Sequence, residues 1–216
     1  EIASAAISAK ADLLVVGCGL PMGKKGSRVG HFGPVANHLA HKLPLDILFA
    51  RDGSEGPFKR IIAAVDFSRC SKDALERACS LAKACGSKTV TAVHAYSIPD
   101  QYYYTGHTRK EVKAQVLAYA EKEAADWMKT VETYGVKVQM VYVEGAPATA
   151  IVKEAVAREA QVVVIGTHGR TASSAVLLGN VAERVIRTAH CSVWAERVEG
   201  QSMTFAKAIS RLMGLE

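Results

Sequence analysis

The segment VVVIGTHGR, residues 162–170, decides the fold class. Its first four residues are all apolar and β-branched, which predicts a buried strand, and Gly166 and Gly169 then predict a turn. After nine further residues come Gly179 and Asn180, where a helical pattern begins. Backbone N–H groups at such a junction can face an anion, because glycine has no Cβ to keep a phosphate away. The alternative is an ordinary strand–helix turn that binds nothing, since the Lys-Ser or Lys-Thr of a P-loop and the Rossmann glycine spacing are both absent.

Composition excludes several classes of function. The 216 residues carry a formal net charge of +6, but Lys and Arg are dispersed and aromatic residues make up only 6% of the chain. These features argue against nucleic-acid binding. No apolar run reaches the length of a membrane span, so we expect no stable membrane insertion. The five cysteines form no C-x-x-C pair, which predicts free thiols in a reducing cytoplasm.

An internal repeat extends the prediction to the rest of the chain. Residues 1–17 (EIASAAISAKADLLVVG) align without gaps to residues 150–166 (AIVKEAVAREAQVVVIG) at an offset of 149. Beyond a three-residue insertion the offset becomes 146, which matches Gly23 to Gly169 and Gly33 to Gly179. Each copy therefore contains a helix, a strand, a glycine loop, a helix and a strand.

The second copy has additional elements in front of this shared part. We predict strands over residues 60–66, 89–96 and 136–143, and helices over 71–85, 109–134 and 148–159. Strands that alternate with helices predict a parallel sheet with right-handed crossovers. If the repeat holds, about 86 residues of a first unit are missing. We therefore expect the C-terminal part of a first domain in residues 1–52, a linker in 53–57, a complete domain in 58–198 and a helical tail in 199–216. The alternative is that residues 1–52 are a purpose-built N-terminal extension.

Four motifs together resemble the universal stress protein family. They are AVDFS at residues 64–68, VHA at 93–95, GAP at 145–147 and the pattern G-x-x-G-x9-G-N at 166–180. The resemblance covers essentially all of residues 58–197, with residues 1–51 as a partial copy, and looks like a tandem member that lacks the front of its first domain. It implies a Rossmann-like α/β fold of the adenine nucleotide alpha hydrolase-like type, with a five-stranded parallel sheet and helices on both faces.

The resemblance also implies a nucleotide site at the carboxyl ends of the strands. It places the Asp66 carboxylate and the backbone at Ala95 against adenine, the glycines of the loop along ribose and phosphates, and the start of the last helix over the phosphates. The implied ligand is ATP or AMP, with Mg²⁺ as a possible companion. The candidate binding residues are Val65, Asp66, Ala95, Gly166, His168, Gly169, Arg170, Gly179, Asn180 and Val181.

Two departures from the family pattern bear on this site. The family usually has Ser or Thr at the position of Asn180, and the bulkier amide is expected to narrow the phosphate site. In the first copy, Pro34 occupies that position and offers no N–H. We therefore expect no nucleotide site in residues 1–52. His168 could face a phosphate or pack under the turn, and Arg170 could reach a phosphate or remain a solvated charge.

Three functions follow from these residues. The first is a cytoplasmic stress-response sensor or adaptor that binds an adenine nucleotide and at most hydrolyses ATP slowly, because no base to activate water is evident. The second is a scaffold that binds no nucleotide and acts through dimerisation and partner docking. The third is an enzyme of the wider α/β class, such as an adenylating enzyme, for which the chain shows no catalytic residues. The terminal strand at 192–196 and its counterpart at 45–50 are predicted edge strands that pair within one chain, with a second copy, or with a complementing fragment.

Overall fold

The computed structural model describes residues 1–18, 33–43, 45–51, 57–169 and 178–197. The strands in this part of the chain are β1 Leu13–Cys18, β2 Asp46–Arg51, β3 Ile61–Ala64, β4 Thr89–Tyr96, β5 Lys137–Glu144, β6 Val162–Gly166 and β7 Ser192–Glu196. The α-helices are α1 Ile2–Ser8, α2 Pro34–Lys42, α3 Arg69–Ala84, α4 Arg109–Met128, α5 Pro147–Ala157 and α6 Asn180–Thr188, and a short 3₁₀ helix spans Asp100–Thr105. The predicted tail, most of the linker and the candidate residue Arg170 lie outside the described residues.

All seven strands form one sheet in the order β1-β2-β7-β6-β3-β4-β5. Strands β7, β6, β3, β4 and β5 are parallel to one another, which confirms the predicted α/β fold and its parallel five-stranded sheet. The carboxyl ends of these strands therefore meet at one edge of the sheet. The loops that follow β3, β4 and β6 are brought together there.

Local sequence signals fix several of the helix ends. The Ser68 hydroxyl accepts a hydrogen bond of 3.2 Å from the Ser71 amide and caps α3, which ends before Gly86 at φ +66°. A reciprocal capping box between Thr108 and Glu111 begins α4.

The predicted end of α4 is wrong. The helix stops at Met128 rather than at residue 134. Tyr134 and Gly135 adopt left-handed φ values of +53° and +80°, which a right-handed helix cannot accommodate. The chain uses this turn to return to β5.

Helices cover both faces of the sheet, and alternation along β6 shows how the core is divided. Val163 and Ile165 face the core formed with α2, α5 and α6, whereas Val162 and Val164 face the core formed with α3 and the end of α4. A strand buried on both faces is expected to be apolar throughout, as β6 is. None of the described helices combines the length and apolarity needed to cross a lipid bilayer.

Strands β2 and β7 pair antiparallel, and this pairing joins residues 1–51 to the rest of the sheet. Ile47 lies opposite Ala195 and Phe49 lies opposite Val193. Of the pairings predicted for these two strands, the structure contains the one within a single chain.

We call the β2–β7 pairing and the contacts beside it the β2–β7 seam. Each hydrogen bond described next has a counterpart on the other side of this seam whose residues differ by the repeat offset of 146. The Arg51 amide donates to Ser192 Oγ at 3.1 Å, and the Arg197 amide donates to Asp46 Oδ1 at 2.8 Å. Arg51 Nη2 donates to the Ile186 carbonyl of α6, and Arg197 Nη2 donates to the Ala40 carbonyl of α2. Each arginine thus lies at the C-terminal end of the other half's helix, where a cation is favourable.

The two halves differ in how well one face of the sheet is covered. Val164 is fully buried beneath α3, whereas Val15, which aligns with it at an offset of 149, is 58% exposed. Strand β1 also forms one edge of the sheet. Among the described residues, the apolar face of β1 on this side therefore has no helix over it comparable to α3.

Candidate functional site

A cleft of about 520 Å³ opens at the carboxyl ends of β3, β4 and β6, beside α5 and α6. Clefts of this size are typical of small-molecule sites. The structure brings nine of the ten predicted binding residues together in its walls, namely Val65, Asp66, Ala95, Gly166, His168, Gly169, Gly179, Asn180 and Val181.

Asp66 is held in place by the start of α3. Its Oδ1 accepts hydrogen bonds from the Ser68 amide at 3.0 Å and from the Ser68 hydroxyl at 2.5 Å. Its Oδ2 lies 2.9 Å from the point where a Cβ on Gly169 would be. The carboxylate therefore reaches the glycine loop directly, and Gly169 leaves the space it occupies.

Gly166 has a packing role that the sequence did not predict. A Cβ at this position would lie 2.8 Å from the Cys70 carbonyl oxygen and 3.0 Å from its carbon. The absence of a side chain thus allows β6 to pack against the first turn of α3. The Cys70 thiol is buried there, and burial, assisted by Asp73 and Asp66, raises its pKa.

Thr167 is a residue of the site that sequence reasoning missed. It is completely buried, and its amide donates to the Glu196 carbonyl at 3.1 Å. Its carbonyl accepts from the Gly179 amide at 2.6 Å, and its hydroxyl lies 3.0 Å from His168 Nδ1. Thr167 therefore fixes the glycine loop to β7 and to the start of α6, and a polar residue between two loop glycines was the available signal.

The start of α6 presents backbone donors to the cleft. Gly179 is its N-cap, with extended φ and ψ of −74° and 151°, and provides no side-chain cap. The first amides of a helix have no partner within the helix, and they favour an anion. Asn180 and Val181 lie in the cleft wall at this point, and both are exposed.

The remaining walls are mostly apolar and were also not predicted. They are formed by alternate residues of the strands and by the facing helices, namely Ala64, Val93, Ile151, Ile165 and Ala182. Such a surface suits the flat face of an aromatic base. Among the described residues, no three His, Cys, Asp or Glu side chains come together as a metal site.

Comparison with known proteins identifies the family. The sequence model of the universal stress protein family matches residues 57–197. The chain belongs to the universal stress protein family. The matched range contains every strand of the parallel sheet and the whole cleft.

Individual universal stress proteins show the same relationship. Universal stress protein MJ0531 of Methanocaldococcus jannaschii is 34% identical over 140 residues, which are 64% of this chain and 82% of that protein. The universal stress protein E homolog of Haemophilus influenzae is 30% identical over 178 residues, which are 75% of this chain but only 55% of that protein.

A solved structure resembles the whole chain in fold. Protein PA1789 of Pseudomonas aeruginosa PAO1 matches with a TM-score of 0.66 and 19% identity. The match covers 100% of this chain and 72% of PA1789. PA1789, a longer chain, therefore has a fold that includes the counterpart of residues 1–51 as well as that of the complete sheet.

Proposed function

We propose that this universal stress protein binds an adenine nucleotide, ATP or AMP, in the cleft and acts as a stress-response sensor or adaptor. The observation that carries the proposal is the presence of the Asp66 carboxylate, the glycine loop and the uncapped start of α6 in one cleft. The proposed setting is the cytoplasm, where all five cysteines, which are free in the structure, stay reduced.

The adenine end of the proposed site is built around Asp66. Adenine carries a donating N6 amine, and a carboxylate only accepts hydrogen bonds at neutral pH. The apolar walls pack against the base, and the backbone at Val65 and Ala95 borders it. Asp66 is thus the residue that recognises the base.

The phosphate end is built from backbone. Amides at the start of α6 donate to phosphate oxygens, as helix N-termini commonly do, and Gly166 and Gly169 of the loop lie along the ribose and phosphates. A Mg²⁺ ion would accompany the phosphates, since this ion is usually bound by few protein ligands together with phosphate oxygens. No residue of the cleft is proposed as a base that activates water, so any ATP hydrolysis is expected to be slow.

Substitution of Gly169 by alanine tests the site. The new Cβ would lie 2.9 Å from Asp66 Oδ2 and displace the carboxylate, whereas Gly169 itself is exposed and contributes little to the core. We expect the Kd for ATP, measured by isothermal titration calorimetry, to rise at least about tenfold, or about 1.4 kcal/mol. The melting temperature should stay within a few degrees of wild type.

Gly17→Ala is the control, because a Cβ at Gly17 meets none of the described residues within 4 Å. It should leave both the Kd and the melting temperature unchanged. If folded wild-type protein binds neither ATP nor AMP at millimolar concentration, the nucleotide proposal is wrong and the scaffold function replaces it.

We further propose that residues 1–52 are the C-terminal part of a first domain, joined by a linker at 53–57 to the complete domain at 58–198, with 199–216 as a tail. What supports this organisation is the recurrence of the arginine contacts across the β2–β7 seam at the repeat offset. The greater length of the Haemophilus influenzae relative agrees with it.

The exposed face of β1 favours assembly as a second function. Strand β1 contains no charged residue and no proline, and Val15 is 58% exposed on it, so this edge has little protection against pairing with another strand. We propose that a second copy or a complementing fragment of the same fold covers it. Light scattering should give a mass above that of one chain, and Val15→Lys should lower it to one chain. A monodisperse single chain at micromolar concentration contradicts the proposal.

A further inference from the structure

Phe67, which follows Asp66, has an unusual backbone conformation. Its φ is +64°, a left-handed value that residues other than glycine rarely adopt. Such conformations persist where surrounding contacts enforce them, and they concentrate at functional sites. The Phe67 ring stacks on the His94 ring, with centroids 4.2 Å apart and planes at 17°, and meets Trp127 edge-on at 5.5 Å.

His94 also contacts the residue on the other side of Asp66. Its Nδ1 lies 3.0 Å from the Val65 carbonyl oxygen. A carbonyl oxygen only accepts, so Nδ1 carries the proton and donates it. One side chain therefore holds both Val65 and Phe67, the two chain neighbours of Asp66.

This contact lies on the face of the sheet away from the cleft. Val93 and Ala95 line the cleft, and His94 between them points to the opposite face, because side chains alternate along a strand. There its ring edge also meets Tyr142 at 6.1 Å. His94 thus cannot be a direct ligand of a molecule in the cleft.

The two sides of the Asp66 turn are anchored independently. On one side, Ser68 holds Oδ1 of the carboxylate. On the other, His94 fixes the backbone from Val65 to Phe67. Together these contacts leave Oδ2 directed at Gly169 within the cleft.

We propose that His94 is a positioning residue that, through Val65 and Phe67, aims the Asp66 carboxylate and so sets a preference for adenine over guanine. This inference rests on the proposed function. Adenine presents the donating N6 amine where guanine presents the accepting O6. A carboxylate held in a fixed direction attracts the first and repels the second, and one that can turn away discriminates less.

Calorimetric titration of three ligands into His94 variants tests this. The ligands are ATP, GTP and inorganic tripolyphosphate, which carries the phosphate contacts without a base. His94→Phe keeps a ring to stack on Phe67 but loses the donor to Val65. We expect it to lower the ratio of ATP to GTP affinity at least tenfold and to leave tripolyphosphate binding unchanged.

Two further variants separate positioning from general destabilisation. His94→Asn retains an amide N–H that can donate to Val65 and should recover part of the preference for ATP. Tyr142→Phe keeps the ring that meets His94 and should match wild type for all three ligands. A variant that was merely less stable would bind all three ligands with lower affinity.

Phe67→Gly gives a second route if His94→Phe does not fold. Glycine adopts φ +64° without strain, so this variant should fold while losing the stacked ring. We expect the same loss of preference for ATP. If wild type binds ATP and both His94→Phe and Phe67→Gly keep its ATP to GTP ratio, the inference is overturned and the proposed function stands. If wild type binds tripolyphosphate but neither nucleotide, the proposed function itself fails.

Discussion

Gly166→Val is expected to lower the free energy of unfolding by about 3 kcal/mol, because it adds a side chain where two backbone segments already touch. The first carbon of that side chain would lie 2.8 Å from the Cys70 carbonyl oxygen and 3.0 Å from its carbon. Neither atom can rotate away as the end of a flexible side chain can. Relief would require β6 or α3 to shift as a whole.

The surroundings of α3 make such a shift costly. The helix is capped at Ser68 and has Ala74, Leu75 and Ala78 completely buried against the sheet. Urea denaturation would measure the loss of stability, and thermal denaturation should show a melting temperature lower by roughly 6–12 °C for a chain of this size. Nucleotide binding should weaken as well, since Ser68 also holds Asp66.

Gly17→Val provides the matched control within the same chain. Gly17 aligns with Gly166 at an offset of 149, but within the part of the chain that the structure describes a Cβ on Gly17 meets nothing within 4 Å. We expect a change within about 0.5 kcal/mol, as for most surface substitutions. Equal destabilisation by the two variants would show that the Cys70 contact does not set the requirement for glycine.

The strands could be predicted from the sequence because their pattern is local. The predicted bounds of β4 and β7 match the observed strands, since the runs of residues that favour strands end where the composition of the sequence changes. The end of α4 could not be predicted in the same way. The β-branched residues Thr130, Val131 and Thr133 do favour an earlier end, but the left-handed turn at Tyr134 and Gly135 depends on how the chain returns to β5.

In the candidate site, too, local motifs could be predicted and contacts between distant residues could not. Asp66 and Gly169 could be named from motifs, but their contact through Oδ2 joins residues about 100 positions apart and has no sequence signal. The role of Thr167 was missed for that reason, and His94 could be interpreted as structural but its contacts could not be predicted, because both residues depend on partners distant in sequence. The exposure of Val15 is what a half without a helix equivalent to α3 would have, but no sequence pattern singled out this residue.

Raising the pH from about 4.5 to about 8 is expected to lower the free energy of unfolding, because a pair of carboxyl groups is buried at the β2–β7 seam. Glu196 and Asp46 are 6% and 8% exposed, and the guanidinium of Arg77 contacts both. Trp194 Nε1 donates to Glu196 Oε2 at 2.9 Å and to Asp46 Oδ2 at 3.3 Å. The Arg197 amide also donates to Asp46 Oδ1 at 2.8 Å. Several of the donors to the two carboxyls are therefore neutral, and Arg77 is the cation that contacts both of them.

Burial, together with the hydrogen bond to Asp46 and against the opposing effect of Arg77, raises the pKa of Glu196 to about 8. The folded protein thus retains a proton that the unfolded chain releases above its ordinary pKa of 4.5. The stabilisation is complete below that value and is lost as the pH approaches 8, with a slope of up to about 1.4 kcal/mol per pH unit.

Glu196→Gln isolates this contribution. The amide has nearly the same shape but cannot ionise, so the variant should equal wild type within about 1 kcal/mol near pH 5 and exceed it by a few kcal/mol above pH 8. Urea denaturation of both proteins at intervals of one pH unit measures the difference. A constant difference between Glu196→Gln and wild type across this range would mean that Glu196 is ionised in the folded protein. In that case Arg77 and Arg197 together would balance the two carboxylates, since the guanidinium of Arg197 also interacts with Asp46. With the slope as expected, the antiparallel seam holding residues 1–51 to the rest of the sheet is strongest when Glu196 is protonated.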